Sequence, residues 1–233
     1  MSSSNEPHEP HESGAERAAG SNAGPVAGSV AGRGIGPAAG PVTERAAERG
    51  TDDAILDAAA ELIVQLGVGR AQLAEIARRA GVSRPTVYRR WPDVRAVIGA
   101  LLTREIAATR DTVRLTGTDR GAFVDGVVEV AVRLRDHPVL GALLRSGDSD
   151  TLFEYVVDRM GASQRGLLEA LRSGIDQGQL HGSIRAGEPL ELAAMVLLIA
   201  QSTVQSHRMV APVLSEEAWR RELARALDGY LAP

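Results

Sequence analysis

The sequence predicts an all-α protein. Apolar residues recur every three or four positions along most of the chain, and no convincing alternation of apolar and polar residues marks a strand. The 233 residues are 44% hydrophobic but only 3% aromatic, so leucine, valine, isoleucine and alanine must build the core. This length is enough for one large or two modest domains.

The first part of the chain predicts a disordered tail over residues 1–48. It is rich in Ser, Gly, Pro, Ala and Glu and holds no aromatic residue, so it cannot bury enough apolar area to offset the entropy of ordering. Order is expected to begin near Thr51. Thr51 or Asp52 can cap a helix that runs towards Leu66, and the glycines that follow can end it.

The middle of the chain predicts further helices. Val94 to Leu102 and Phe123 to Leu134 have helical spacing, and His137-Pro138 ends the second segment. Val139 to Leu144 suits a short helix. A longer helix is expected to begin at Leu152 and continue to Ile175.

Two C-terminal segments predict a dimer interface. The helix expected over about 190–210 is apolar all round, so it must be covered on all sides. The helix expected over about 216–231 has an apolar stripe. We expect two helices from each subunit to pack as a four-helix bundle in a homodimer. The residues expected at this interface are Leu197, Leu198, Gln201, Trp219, Leu223 and Leu227.

A concentrated basic segment stands out in a chain of formal net charge −4. Between residues 70 and 95 lie seven arginines and only two acids, Glu75 and Asp93, which gives a local charge of +5. A basic patch of this kind is typical of a surface that binds nucleic-acid phosphates.

The same segment predicts a helix-turn-helix between Gln72 and Trp91. Leu73, Ile76 and Ala77 form the inner face of a first helix. Gly81 stands where the chain must turn, and glycine enters the left-handed conformation freely. Ser83 is a good cap for a second helix, whose first turn tolerates the proline at position 85.

The second helix would place Val87 inward and its polar side chains outward. Arginine can fork onto guanine, a threonine methyl can touch thymine, and a tyrosine hydroxyl can hold a phosphate. The alternative is an ordinary helical hairpin with a solvated charged face. The residues expected to contact DNA are Arg70, Gln72, Ser83, Arg84, Pro85, Thr86, Tyr88, Arg89, Arg90 and Arg95.

The runs Ile76-Ala77-Arg78-Arg79-Ala80-Gly81-Val82-Ser83 and Thr86-Val87-Tyr88-Arg89-Arg90-Trp91-Pro92 closely resemble the DNA-binding domain of TetR-family repressors. The resemblance covers about residues 52–102, and beyond it only the helical layout and length are similar. It implies a homodimeric repressor that a small-molecule effector releases from a palindromic double-stranded DNA operator.

Two positions depart from the family's pattern. Ala71 stands where the family usually has a capping Thr or Ser, and Val94 stands where it often has a phosphate-binding lysine. Arg70 and Arg95 could supply these contacts from neighbouring positions.

Composition and resemblance together predict three parts: a tail over 1–48, a helix-turn-helix domain over 49–95, and a helical effector-binding and dimerisation domain over 96–233. A largely apolar effector is expected among the helices between about 118 and 178. The candidate contacts are Phe123, Arg133, Phe153, Met160, Gln164 and Gln201, for which core or surface roles are the alternative.

The sequence gives little support to other classes of function. There is no cysteine, which excludes disulfides, thiolate zinc sites and a cysteine nucleophile. We find no metal-ligand spacing, cofactor motif or activated nucleophile, and therefore expect no enzyme, metal or cofactor. The longest apolar run is too short to span a bilayer, so we expect a cytoplasmic protein without a membrane partner. A regulator without a small ligand, or an activator, is the alternative function.

Overall fold

The computed structural model describes residues 41–115, 119–145 and 161–233. All the regular secondary structure in these ranges is helical, which confirms the predicted fold class. The α-helices are α1 (Pro41–Leu66), α2 (Leu73–Arg79), α3 (Arg84–Arg90), α4 (Val94–Asp111), α5 (Arg120–Asp136), α6 (Pro138–Arg145), α7 (Ala162–Leu180), α8 (Pro189–Val210) and α9 (Glu216–Leu231). A short 3₁₀ helix, Val68–Arg70, joins α1 to α2.

Helix α1 begins earlier than the sequence predicted. It starts at Pro41 and passes through Thr51 and Asp52 without a break, so neither residue is its cap. Proline is well tolerated in a first helical turn, and Ala46 and Ala47 with their glutamate neighbours favour helix. The helix ends as predicted, because Gly67 follows it with a φ of 82°. The remainder of the predicted tail, residues 1–40, lies outside the described residues.

The first core holds the N-terminal helices together. Ile55 and Leu62 of α1, Ile76 of α2 and Val87 of α3 are each 0% exposed and belong to one cluster. Helices α4 and α6 complete this cluster, and α6 supplies Leu143. The helix-turn-helix therefore shares one apolar core with α1, α4 and α6.

The second core lies among α5, α7, α8 and α9. Phe123, Ile175 and Leu227 are at most 1% exposed and share one apolar cluster. Helices α7 and α8 pack along each other, and α5 contacts both α8 and α9. The larger, C-terminal part of the chain thus has a core of its own.

Helix α9 corrects one prediction. Trp219 and Leu223 are each 3% exposed and Leu227 is 0% exposed, all in the core of this same chain. The guanidinium of Arg135 lies 4.9 Å above the Trp219 ring, and His207 meets the ring edge at a centroid distance of 5.6 Å. The stripe is therefore covered internally, so its assignment to partner contacts was wrong.

The predicted helix from Leu152 to Ile175 is also corrected in part. Gly161 is not helical, and α7 starts after it at Ala162, so no single helix runs through that position. The residues before it, including the candidate effector contacts Phe153 and Met160, lie outside the described residues.

Gly174 marks a close crossing and gives a stability prediction. A Cβ added there would lie 2.5 Å from a Phe123 ring carbon and even closer to the Leu115 carbonyl oxygen. Because backbone cannot move aside cheaply, Gly174→Ala should destabilise the fold by about 1–3 kcal/mol. Urea denaturation measures this change.

Gly166, on the same helix, is the matched control. A Cβ at Gly166 would meet only the Nη1 atom of Arg110, at 3.0 Å, which is the end of a flexible side chain. Gly166→Ala should be neutral or slightly stabilising, since alanine favours helix. Equal effects of the two substitutions would contradict the close crossing.

Candidate nucleic-acid interface and internal cavity

The turn between α2 and α3 has the geometry that the sequence predicted. Gly81 has a φ of 66°, a conformation that glycine adopts without steric cost. The Val82 amide donates to the Ala77 carbonyl over 3.1 Å and closes the turn. The second helix is thereby directed across the first.

Ser83 fixes the start of α3. Its hydroxyl oxygen accepts a hydrogen bond from the Thr86 amide at 3.3 Å, which is N-capping geometry. The Ser83 and Thr86 hydroxyls lie 2.7 Å apart. The Thr86 hydroxyl is thus engaged locally, so its methyl group is the part better suited to touch a base.

The outward face of α3 is open to solvent. Arg84, Pro85 and Arg89 are exposed, and Tyr88 is 54% exposed although it is a large aromatic side chain. Val87 between them is 0% exposed. An exposed row with this composition, over one buried anchor, matches the residues a recognition helix presents to the major groove.

The arginines of the basic segment divide into two groups. Arg78 and Arg79 pair with Glu75 at 2.6 and 3.2 Å. The Arg78 hydrogen bond is the main cause that lowers the pKa of Glu75 to about 2, so this carboxylate stays charged at neutral pH. Glu75 therefore offsets part of the positive charge on α2.

Arg90 is held inside the protein. Its guanidinium pairs with the Asp52 carboxylate of α1, and its side chain is only 15% exposed. This ion pair ties the end of α3 to α1. Arg90, predicted as a DNA contact, is thus engaged within the chain, and no local pattern predicts Asp52 as its partner because the two positions lie far apart in the sequence.

The other basic positions face solvent. Arg70, Arg84, Arg89 and Arg95 are exposed, as is Gln72 at the N-terminus of α2. Within the described part of the chain, Arg70, Arg84 and Arg89 form no ion pair, which leaves their charge available to phosphate or bases. Gln72 has no side-chain capping bond.

An internal cavity of about 330 Å³ lies in the C-terminal part of the chain. Side chains of α4 to α8 line it, together with Leu115 and Gly161. Such a volume is typical of small-molecule sites. The polar residues among the described lining are Thr103, Ser163, Gln164, Gln201 and Gln205.

The predicted effector contacts fall in different places. Gln164 and Gln201 line the cavity. Phe123 is instead packed in the core at 1% exposure, and Arg133 is exposed, bonded to Glu129 and to Thr112. Gln205 was missed, although its position one helical turn after Gln201 puts both on one face.

Helix α8 exposes four large apolar side chains in the single chain. Leu190 is 46%, Met195 42%, Leu198 55% and Met209 77% exposed. Leu192, Ala193 and Val196 of the same helix are buried in the second core. Leu197 and Gln201, also expected at the dimer interface, are half-buried and line the cavity.

The described ranges contain no cluster of acidic or histidine side chains that could hold a metal ion. None of their helices combines the length and hydrophobicity that a bilayer span requires.

The capped, exposed α3 on a helical chain with its own second core defines a helix-turn-helix transcriptional regulator. The family model described as bacterial regulatory proteins of the tetR family matches residues 55–101. An uncharacterised HTH-type transcriptional regulator of Mycobacterium bovis is 49% identical over 177 residues, which cover 76% of this chain and 92% of that protein. The chain therefore belongs to the TetR family.

Solved structures share the fold at lower identity. FadR from Bacillus subtilis, in complex with stearoyl-CoA, has a TM-score of 0.54 and 20% identity, covering 77% of this chain and 98% of that one. SmeT in complex with triclosan has a TM-score of 0.53 and 24% identity, covering 77% and 89%. At these identities the comparison shows the fold alone.

Tyr88 gives a prediction at this surface. If its hydroxyl donates to a phosphate, Tyr88→Phe should weaken binding to all DNA sequences alike by about 0.5–1.5 kcal/mol. Fluorescence anisotropy with operator and scrambled duplexes measures the loss. Tyr230→Phe, at the half-buried tyrosine under Arg185, is the control and should leave DNA affinity unchanged. A loss confined to the operator would show that Tyr88 reads bases instead.

Proposed function

We propose that the protein is a homodimeric repressor that binds a palindromic operator through α3 and is released by a small-molecule effector. The observation that carries this proposal is that two side chains belong both to the core of the DNA-binding helices and to the cavity wall. Leu102 of α4 and Leu143 of α6 belong to the core that holds α1 to α3, and both also line the cavity. An effector in the cavity would therefore touch residues that position the DNA-binding helices.

In the proposed complex α3 lies in the major groove. Its first turn carries Arg84 and Thr86, so these residues reach base edges. Tyr88 and Arg89 come later and contact the phosphate backbone. Arg90 instead stabilises the domain through Asp52, because its side chain is largely buried in that ion pair.

The proposed dimer forms through α8. An exposed row of leucine and methionine side chains is costly in water, and contact with its symmetry mate removes the row from solvent. Leu198 lies within this row and is 55% exposed. Helix α9 contributes its outer face, which bears Arg221, Arg225 and Ala226, since its apolar stripe is already buried. A two-fold axis through the α8 contact would place the two α3 helices so that each faces one of two related half-sites.

The release step follows from the packing around the cavity. Helix α6 contacts α1, and α4 continues from the helix-turn-helix into the cavity wall. Filling the cavity would favour positions of α4 and α6 that differ from those suited to operator binding. A ligand shifts such an equilibrium only by its difference in affinity for the two states.

The cavity also bears on the alternative of a regulator without a ligand. A filled C-terminal core would have favoured that alternative, whereas about 330 Å³ of internal space among α4 to α8 favours ligand sensing. Structures of this fold that contain stearoyl-CoA and triclosan support the same choice. Repression rather than activation rests on the family resemblance.

Sequencing the genomic fragments that the purified protein retains tests DNA recognition and symmetry together. We expect enriched fragments to share an inverted repeat with a fixed separation of half-sites. Compounds that raise the melting temperature of the protein should then lower its affinity for that repeat. Enrichment without any shared motif would contradict sequence-specific binding, and stabilising compounds without effect on affinity would contradict effector release.

A further inference from the structure

Arg104 of α4 contacts α1 at two points. Its Nη1 lies 2.8 Å from a carboxylate oxygen of Asp57 and donates to the Asp53 backbone carbonyl at 3.3 Å. The Arg104 side chain is only 28% exposed, and partly buried pairs are screened less than pairs in open solvent. Charge-assisted hydrogen bonds are short and geometrically specific. The guanidinium therefore fixes α4 against α1 at a defined position.

Glu105, the next residue, extends these contacts to the start of α6. Its Oε1 accepts hydrogen bonds from Nε and Nη2 of Arg104 at 2.9 and 2.7 Å. Its Oε2 lies 3.3 Å from Nε2 of His137, the residue that precedes the first residue of α6, Pro138. The side chains of Asp57, Arg104, Glu105 and His137 are termed the polar brace. The brace links α1, α4 and α6.

Apolar contacts join the same helices, but they act differently. Val139 and Leu143 of α6 share a core with Ile55 of α1. Apolar attraction is non-directional, so by itself it resists small shifts of α1 along α6 only weakly. A half-buried charge that is displaced from its partner loses the interaction that offsets its desolvation. The polar brace therefore favours one orientation of helices that the core already holds together.

This orientation matters for a two-fold operator. In the proposed dimer α8 joins the subunits, so the separation of the two α3 helices depends on how each α1–α3 unit is held on α4 and α6. One base pair of DNA corresponds to about 3.4 Å along the duplex axis and about 35° of rotation. A small change of orientation therefore changes which half-site separation the dimer fits.

We infer that Arg104 and Glu105 are positioning residues that set the half-site separation of the operator by holding helices α1 to α3 in one orientation. This inference rests on the proposed function in taking the operator as two half-sites bound by one dimer. The two residues act through α1 and α6 and leave the reading of bases to α3.

The test uses the full chain and the inverted repeat recovered by fragment sequencing. Fluorescence anisotropy compares that repeat with duplexes that have one base pair inserted or removed between the half-sites, and with an isolated half-site. The unaltered protein should lose at least about tenfold in affinity when the separation changes, since part of the gain from binding both half-sites is lost. Arg104→Met removes the guanidinium and keeps an unbranched apolar stem. Its loss should be less than about threefold, because looser α1–α3 units reach either separation.

The isolated half-site distinguishes positioning from general destabilisation. Arg104→Met should bind it as tightly as the unaltered protein does, whereas damage to the helix-turn-helix would lower that affinity as well. Arg110→Met is the matched control, because Arg110 lies on the same helix, is 27% exposed, and pairs with its neighbour Asp111. It removes the same charge and should keep the full spacing penalty.

Two further variants decide the question if Arg104→Met does not fold. Asp57→Ala alters a side chain that is 67% exposed, and Glu105→Gln keeps the size of the residue while removing its charge. Each should reduce the spacing penalty in the same direction as Arg104→Met. Circular dichroism at the assay temperature checks that each variant is folded.

A spacing penalty that the folded brace variants share with the unaltered protein would overturn the inference and leave the proposed function standing. Equal relaxation in Arg110→Met, or weaker binding of the brace variants to the isolated half-site, would also overturn it. An unaltered protein without any spacing penalty would contradict the two-fold operator of the proposed function, and the inference with it.

Discussion

Replacing Leu198 with arginine should abolish tight operator binding, although the residue lies on α8, away from the helix-turn-helix. Leu198 is 55% exposed in the middle of the uncovered apolar row. In a two-fold interface each substitution occurs twice, so two guanidinium groups would be placed together in an apolar contact. The expected product is a monomer with an intact fold.

The loss of operator affinity follows from symmetry. A dimer holds its second recognition helix near the second half-site, and this linkage raises affinity by about 10²–10⁴-fold without any new contact. A monomer loses that gain, so we expect operator affinity to fall by about a hundredfold or more. Light scattering after size-exclusion chromatography and anisotropy with operator DNA provide the two measurements.

Leu180 supplies the matched control. It is 77% exposed at the end of α7, outside the α8 row. Leu180→Arg introduces the same charge at another exposed leucine and should leave both mass and operator affinity unchanged. A Leu198→Arg protein that remains a dimer with full affinity would reject the proposed interface.

The helix-turn-helix could be predicted in detail because its signals are local. Gly81 takes the left-handed conformation, Ser83 caps α3, and Val87 is its buried anchor, each as the sequence indicated. Turn chemistry, capping and one inward apolar position act over a few residues. Such features require no knowledge of the rest of the fold.

Local signals could not predict which part of the molecule covers the apolar stripe of α9. Amphipathic spacing shows which side of a helix is apolar, but it does not show what covers that side. Trp219 and Leu227 are covered by their own chain. Conversely, residues 192–200 of α8 are all apolar, and only the structure separates its buried residues, such as Val196, from its exposed ones, such as Leu198.

The remaining differences come from contacts between distant positions. The Asp52–Arg90 ion pair joins the beginning of the domain to the end of α3, and no local pattern relates the two residues. Gln205 faces the cavity beside Gln201 because α8 packs along α7. The four-residue spacing of Gln201 and Gln205 is visible in the sequence, but only the packing of α8 shows that this side of the helix lines the cavity.

Replacing Arg84 with alanine should weaken operator binding by about 1–3 kcal/mol and relax the preference at one base pair in each half-site, if the guanidinium forks onto guanine. Arg84 begins α3 directly after the Ser83 cap and is exposed, so its position relative to the groove is fixed by the turn. Within the described part of the chain it forms no ion pair, so no internal partner competes with DNA.

Two comparisons separate base reading from general electrostatics. Arg78→Ala also removes one positive charge from the domain, but Arg78 is paired with Glu75, and its loss should change operator affinity little. Titrations over a salt series should show a steep loss of affinity for the unaltered protein, since arginines displace counterions from phosphates. Arg84→Ala should lower the ratio of operator to scrambled-DNA affinity at every salt concentration. If that ratio is unchanged while the slope of affinity against salt becomes shallower, Arg84 binds phosphate and α3 reads the operator through other side chains.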